Sequence, residues 1–247
     1  MNFSKMKKCD IIFTTIEWKM NMETKNNLVV MLTYDDKTIL NAKEIFEQCR
    51  NSKALYWGFK EKPLPLDQMK ELFQIMKDCH KKTVLEVVAY SEAECLQGAH
   101  MAHECGVDML MGTLYFDSVN SYCKQHQILY MPFVGQVSQC PSILEGNLEE
   151  MVAQANSYLE KGVYGIDLLG YRYQGDANTL IHEFVKQVHA PVCVAGSINS
   201  MERLALIKDT SPFAFTIGSA FFDHDFGESV CDQIDMVCTY MQEDISC

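Results

Sequence analysis

The stretch APVCVAGSINS, Ala190–Ser200, is an apolar run that stops at Gly196-Ser197 and continues like the first turn of a helix. A second stretch, FAFTIGSAFF at Phe213–Phe222, does the same at Gly218-Ser219, 22 positions after Gly196. Each reads as a buried strand, a tight turn and a helix start. Their repetition sets the period of the chain.

Worked outward, that period recurs. Short β-branched or apolar runs lie at Leu28–Thr33, Ala54–Phe59, Thr83–Ala89, Val107–Gly112, Ile128–Val134, Val163–Leu169, Pro191–Ala195 and Phe213–Ile217. Amphipathic stretches separate them: TILNAKEIFEQC sets Ile39, Ala42, Ile45, Phe46 and Cys49 on one stripe, and DQMKELFQIMKDC does so with Met69, Leu72, Phe73 and Met76. Asp67, Ser91 with Glu94 three residues on, Asn147 and Asp176 are helix-start signals, and Gly106 and Gly162 are left-handed helix ends just before strands. Strand runs that are apolar throughout belong to a parallel sheet buried on both faces. Eight such units, spaced roughly 21–35 residues apart, predict an α/β protein of the (β/α)₈ (TIM) barrel type rather than an open doubly wound sheet. The barrel domain takes residues 26–247. Residues 1–25 form a short N-terminal extension in which DIIFTTIEW is an extra strand or a plug over the barrel bottom.

In this fold chemistry sits at the C-terminal ends of the strands. The residues there are Thr33, Tyr34 and Asp35; Lys60 and Glu61; Glu86 and Tyr90; Thr113; Gln136; Asp167, Tyr171 and Arg172; Gly196 and Ser197; Gly218 and Ser219. The paired Gly-Ser turns are the most specific feature. Glycine admits an anion close to the backbone, and the N–H groups that follow can grip phosphate oxygens without a cationic side chain. The plain alternative is two turn glycines. Asp167, between Ile166 and Leu168, is costly to bury unless it works as an acid or pairs with a basic neighbour. Lys60 and Glu86 complete the candidate catalytic set, Lys60 as an electrophile or Schiff-base amine. Against that stand a solvated Lys60 in the run KEK and a purely structural Glu86. Arg172 is placed to clamp a substrate carboxylate or a second phosphate.

With these residues in place, VAGSI and IGSAFF resemble the phosphate site of the ribulose-phosphate-binding class of barrels. That class includes indole-3-glycerol-phosphate synthase, the histidine-pathway isomerases and N-acetylmannosamine-6-phosphate epimerase. The segment VLEVVAYSEAECLQGAHMAHECGVDMLMGT shares its general pattern. The resemblance implies that Gly196, Ser197, Gly218 and Ser219 hold a phosphate. Its catalytic residues do not carry over: Ala195 stands where the epimerase and the synthase keep a Glu, MPFVGQ on strand five has no acid, and EVVAYS lacks the Asp-x-Lys-x-x-Asp of the decarboxylase branch. The expectation is an enzyme acting on a phosphorylated sugar or similar small phosphate ester, of isomerase, epimerase or aldolase/lyase type. The alternative is a non-catalytic barrel that binds a phosphorylated metabolite as a sensor or partner subunit. A metal-dependent aldolase or hydrolase is a third reading.

Bulk properties agree. The chain has 247 residues, 48% of them hydrophobic, and a formal net charge of −12. Its field repels nucleic acid and anionic membrane, so neither is an expected partner. No cofactor is expected, and no metal: His100, His103 and Glu104 fall on the helix after strand three, away from the site, and Asp223 to Asp225 read as a polar loop. Cys193 reads as core. Eleven scattered cysteines without a C-x-x-C pair point to free thiols in a reducing cytosol, and no signal peptide is legible, so the expected location is cytoplasmic. A homodimer fits the class.

Overall fold

The computed structural model describes residues 25–243. The N-terminal extension, with its expected strand or plug, lies outside the described residues except for Lys25.

Eight parallel strands form one sheet: β1 (Asn27–Met31), β2 (Tyr56–Lys60), β3 (Lys82–Val87), β4 (Met109–Gly112), β5 (Leu129–Met131), β6 (Ile166–Leu168), β7 (Val192–Val194) and β8 (Ala214–Ile217). Their order is β6-β7-β8-β1-β2-β3-β4-β5, with the last strand pairing the first from Asn27↔Ala214 to Val30↔Ile217. The remaining gap closes between β5 and β6. Phe133 bridges Asp167, and the Asp167 N–H donates to the Pro132 carbonyl at 3.0 Å. The strand predicted to run to Val134 ends at Met131 because Pro132 has no N–H for a ladder. The barrel is nearly closed.

Helices α1 (Ala42–Cys49), α2 (Leu66–Asp78), α3 (Glu92–Cys105), α4 (Asp117–Gln125), α5 (Leu148–Glu160), α6 (Ala177–Gln187), α7 (Met201–Thr210) and α8 (Val230–Gln242) surround it, with a one-turn helix at Ser219–Phe222. Side chains of Ser91, Asn147 and Asp176 cap α3, α5 and α6 as expected, and Gly106 ends α3 at φ +64°. Asp67 does not cap. Pro65 holds that position in extended backbone, and Asp67 lies in the first turn, where its charge suits the helix dipole.

The period of two along each strand sorts the core into two layers. Val30, Leu32, Trp57, Phe59, Leu85, Val87, Ile166 and Leu168 pack outward under the helices. Val29, Met31, Val84, Met109, Met111, Met131 and Cys193 fill the barrel, where four unbranched thioethers adapt to an irregular space. Both faces are apolar, which is why the strands read as continuous hydrophobic runs. Alternation then dictates that Lys60, Glu86 and Asp167 point inward.

One expectation fails. Cys49 in α1 and Cys231 in α8 form a disulfide. The two helices meet beside the seam where β8 joins β1, which brings together thiols that are distant in sequence. Cys79, Cys95, Cys105, Cys123, Cys140, Cys193 and Cys238 are free. Among the described residues no helix is long and apolar enough to cross a membrane.

Candidate functional site

The barrel mouth carries two antiparallel ribbons that local patterns do not announce, Thr33–Tyr34 with Lys37–Thr38, and Gln136–Ser138 with Ile143–Glu145. In the first, Asp35 and Asp36 turn the chain at φ +47° and +59°. Two positive φ values in a two-residue loop match the right-handed twist of a hairpin, and aspartate tolerates them better than most side chains. The base of this ribbon is fixed: the Thr38 hydroxyl donates to the Lys60 carbonyl at 2.7 Å and accepts from the Lys60 N–H at 2.9 Å. Asp36 thereby reaches the mouth. The strand-end candidates of the first strand end at Asp35 and do not include Asp36.

Below the ribbon, Lys60 and Glu86 are register partners on β2 and β3. Each is only 9% exposed, so the solvated reading of Lys60 is overturned. Its ammonium lies 3.0 Å from Asp36 Oδ1 and 3.5 Å from Glu86 Oε1. Burial opposes the ammonium, but Glu86 and Asp36 outweigh it and hold Lys60 above the ordinary lysine value. A lysine held protonated is an electrostatic partner or proton donor and a poor Schiff-base amine.

Asp167 is 1% exposed. Its Oδ2 accepts the Gly112 N–H at 3.1 Å, whereas Oδ1 is buried without a hydrogen-bond partner among the described residues. Burial and then the Glu86 charge push its carboxyl well above the usual carboxylate range, against the opposing Gly112 N–H and Lys60. The raised Asp167 carboxyl thus lies beside Glu86 and the Lys60 ammonium, a grouping of unlike ionisable groups of the kind proton transfer uses. The adjacent Cys193 thiol is fully buried, and burial first, then Asp167 and Glu86, hold it protonated; it belongs to the core.

A cavity of about 310 Å³ opens above these groups, lined by Asp36, Lys60, Glu86 and Arg172 together with the two Gly-Ser turns. Asp167 itself does not line it; the acid sits one step below. Arg172, in the 3₁₀ turn after β6, reaches Asp36 Oδ2 at 3.3 Å.

The two Gly-Ser turns differ. Gly196 and Ser197 lie at φ +91° and +47°, and a Cβ on Gly196 would come 2.7 Å from Arg172 Cγ. Among the described residues, the N–H groups of Ser197 and Ile198 make no hydrogen bond. The helix expected at Ser197 starts instead at Met201 behind the cap Ser200, so the turn is a separate loop. Arg203 holds that loop by donating to the Ser197 carbonyl and, at 3.0 Å, to Asn199 Oδ1. Gly218 has a negative φ, −124°, with ψ −96°, and its lack of a side chain admits Thr33 Oγ1, which would lie 2.4 Å from a Cβ. Ser219 Oγ accepts the Asp35 N–H at 3.2 Å. The rim also carries Asp223 and Asp225, so carboxylates outnumber cations around the cavity.

His100 and His103 lie on α3 at the outer ring, in tilted ring contacts with Tyr122 and His126 at 4.4 and 3.9 Å between centroids. Among the described residues no group of His, Cys, Asp and Glu is arranged to hold a metal ion.

No protein-family model matches the chain. No curated protein sequence matches it. Solved structures do. Orotidine 5'-phosphate decarboxylase from Pyrococcus horikoshii OT3 is 11% identical with a TM-score of 0.64, covering 88% of this chain and 100% of that one. The N-acetylmannosamine-6-phosphate 2-epimerase from Clostridium perfringens is 15% identical with a TM-score of 0.60, over 90% and 96%. A glycerol uptake operon antiterminator regulatory protein from Listeria monocytogenes is 15% identical with a TM-score of 0.55, over 80% and 94%. At these identities the likeness is one of fold, and it bears out the barrel and its resemblance to barrels that process phosphate esters.

Proposed function

We propose that this barrel is an enzyme that acts on a phosphorylated sugar or similar small phosphate ester and moves a proton next to a carbonyl group. The observation that supports it most is the meeting of Lys60, Glu86 and Asp167, three ionisable side chains on three strands, beneath a cavity rimmed by both Gly-Ser turns. In this reading the free Ser197 and Ile198 N–H groups, with Ser219, hold the phosphate. Carboxylates crowd the rim, so only donors at close range can retain an anion there. The Lys60 ammonium stabilises charge that develops on a carbonyl oxygen, Glu86 exchanges the proton with the substrate, and Asp167, buried one step below the cavity, acts only through Glu86. Isomerisation or epimerisation follows directly. An aldol cleavage fits only without an imine, because Lys60 is held charged.

The test is a thermal-shift screen of phosphorylated sugars, followed by solvent-deuterium uptake into any binder, read by NMR. A ligand at one hundred times its Kd stabilises by about 2.7 kcal/mol, roughly 5–10 °C for a chain of this size. Gly196→Ala forces a Cβ into a φ of +91° and against Arg172, and is expected to abolish that shift while lowering Tm by only a few degrees. An undiminished shift in this variant would remove the turn from the site.

A second reading is favoured by Ala195, which leaves the end of β7 without an acid, and by the fold likeness to a regulatory protein. In it the barrel binds a phosphorylated metabolite without turning it over. Binding with no deuterium uptake or product selects it.

A further inference from the structure

We propose that the Asp36 carboxylate is a resident stand-in for a carboxylate of the substrate, so that the site takes small molecules with a phosphate at one end and a carboxylate at the other. The phosphate end rests on the reading above. The carboxylate end rests on Lys60 and Arg172 alone.

Two cations from separate strands converge on one acid that belongs to neither strand. Lys60 comes from β2 and Arg172 from the turn after β6, and both meet Asp36 at the tip of the ribbon over the mouth. The fit to arginine is imperfect. Both oxygens of Asp36 contact the single atom Nη2, at 3.4 and 3.3 Å, and among the described residues Arg172 uses no other side-chain donor. A free carboxylate approaching the fork in plane can form two parallel bonds about 2.7–2.9 Å long. Asp36 holds the place without using the geometry.

The turn is also built to let go. Its base is pinned to β2 by Thr38, but beyond the Asp36 contacts with Lys60 and Arg172 its tip is held by two exposed hydrogen bonds, Asp35 N–H to Ser219 Oγ at 3.2 Å and Tyr34 O–H to Asp223 Oδ1 at 3.0 Å. Ser219 belongs to the proposed phosphate grip. A molecule that spans Ser219 and the Lys60–Arg172 pair therefore competes with the turn at both ends. One carboxylate leaves as another arrives, so the charge around the buried acid stays balanced. Because the resident acid occupies the pair, the apparent affinity of an incoming one is reduced by the fraction of molecules in which the turn is displaced.

Calorimetric titration of the full chain and of Asp36→Asn tests this with three probes. 3-Phosphoglycerate and glycerol 3-phosphate differ only by a carboxylate against a hydroxymethyl group, and malonate carries carboxylate without phosphate. Asp36→Asn is expected to tighten 3-phosphoglycerate and malonate by roughly tenfold or more, leaving glycerol 3-phosphate within about threefold of the parent. Arg172→Gln is expected to erase the preference for 3-phosphoglycerate over glycerol 3-phosphate. An equal gain for all three probes means general relief of negative charge and overturns the proposal. No gain, or no binding by any probe, also overturns it. If malonate gains while glycerol 3-phosphate binds neither protein, the carboxylate site stands and the phosphate reading falls.

Discussion

Asp167→Asn is expected to raise stability at alkaline pH while reducing turnover by about 10²–10⁴-fold, the usual contribution of a positioned proton-transfer group. The two effects share one cause. Burial and the Glu86 charge raise the Asp167 carboxyl above its unfolded value, so the folded chain keeps a proton that the unfolded chain releases. Stability from this group is undiminished below the unfolded value, near the ordinary carboxylate range. It falls as pH climbs from there toward the folded value. Asparagine has similar shape, keeps an oxygen for the Gly112 N–H, and is neutral throughout. Its Tm is expected to exceed the parent's by at least ~2 °C at pH 8, since about 1 kcal/mol moves Tm by 2–4 °C at this length. The gap should narrow toward pH 4. Thermal melts of both proteins across that range decide it. A gap that does not change with pH would mean that Asp167 carries no extra proton, and the acid role would go with it.

The barrel was legible because both faces of every strand are buried. Continuous apolar runs such as VCV and AFTI, repeated eight times between amphipathic stretches, read as parallel strands under helices, and Ser91, Asn147, Asp176 and Gly106 marked helix ends by local hydrogen bonding. Lys60, Glu86 and Asp167 were also legible, since ionisable residues within such runs stand out, and the period of two turns all three inward. What stayed hidden depends on contacts between distant segments. The ribbon that carries Asp36 has two-residue strands with no apolar stripe, stabilised by Thr38 on β2 and by Ser219. The split between the Gly-Ser turns was hidden too: identical dipeptides serve a loop at φ +91° in one case and the close approach of Thr33 in the other. Sequence identity of two turns does not make their backbones alike.

The disulfide was hidden for the same reason, and its removal should have the largest effect on stability. Cys49 and Cys231 are 182 positions apart. They join the first and last helices of the described barrel, across the seam where β8 pairs with β1. Without the bond, this seam is held by that pairing, by packing of Phe46 and Ile234, and by Lys53, whose N–H donates to Asp235 at 2.7 Å and whose ammonium donates to Thr239 at 2.8 Å. In the chain-entropy model, closing a loop of that length removes about 5 kcal/mol of freedom from the unfolded chain, while measured disulfides more often give about 2–4. Reduction is therefore expected to lower Tm by roughly 10 °C. Cys231→Ala should melt near the reduced parent and show no response to dithiothreitol, which separates the bond from general effects of reductant on the free thiols. Alkylation of the denatured, unreduced chain should spare Cys49 and Cys231 and label Cys95, Cys123 and Cys193. A parent Tm indifferent to reductant, or full labelling of Cys49, would show that the seam closes without the bond. In a compartment poised to reduce it, the outcome turns on its reduction potential: a bond that stabilises the fold this much is correspondingly hard to reduce while the barrel stays folded. The fold and the disulfide stabilise each other to the same extent, so the melting experiment also measures how far the bond resists reduction.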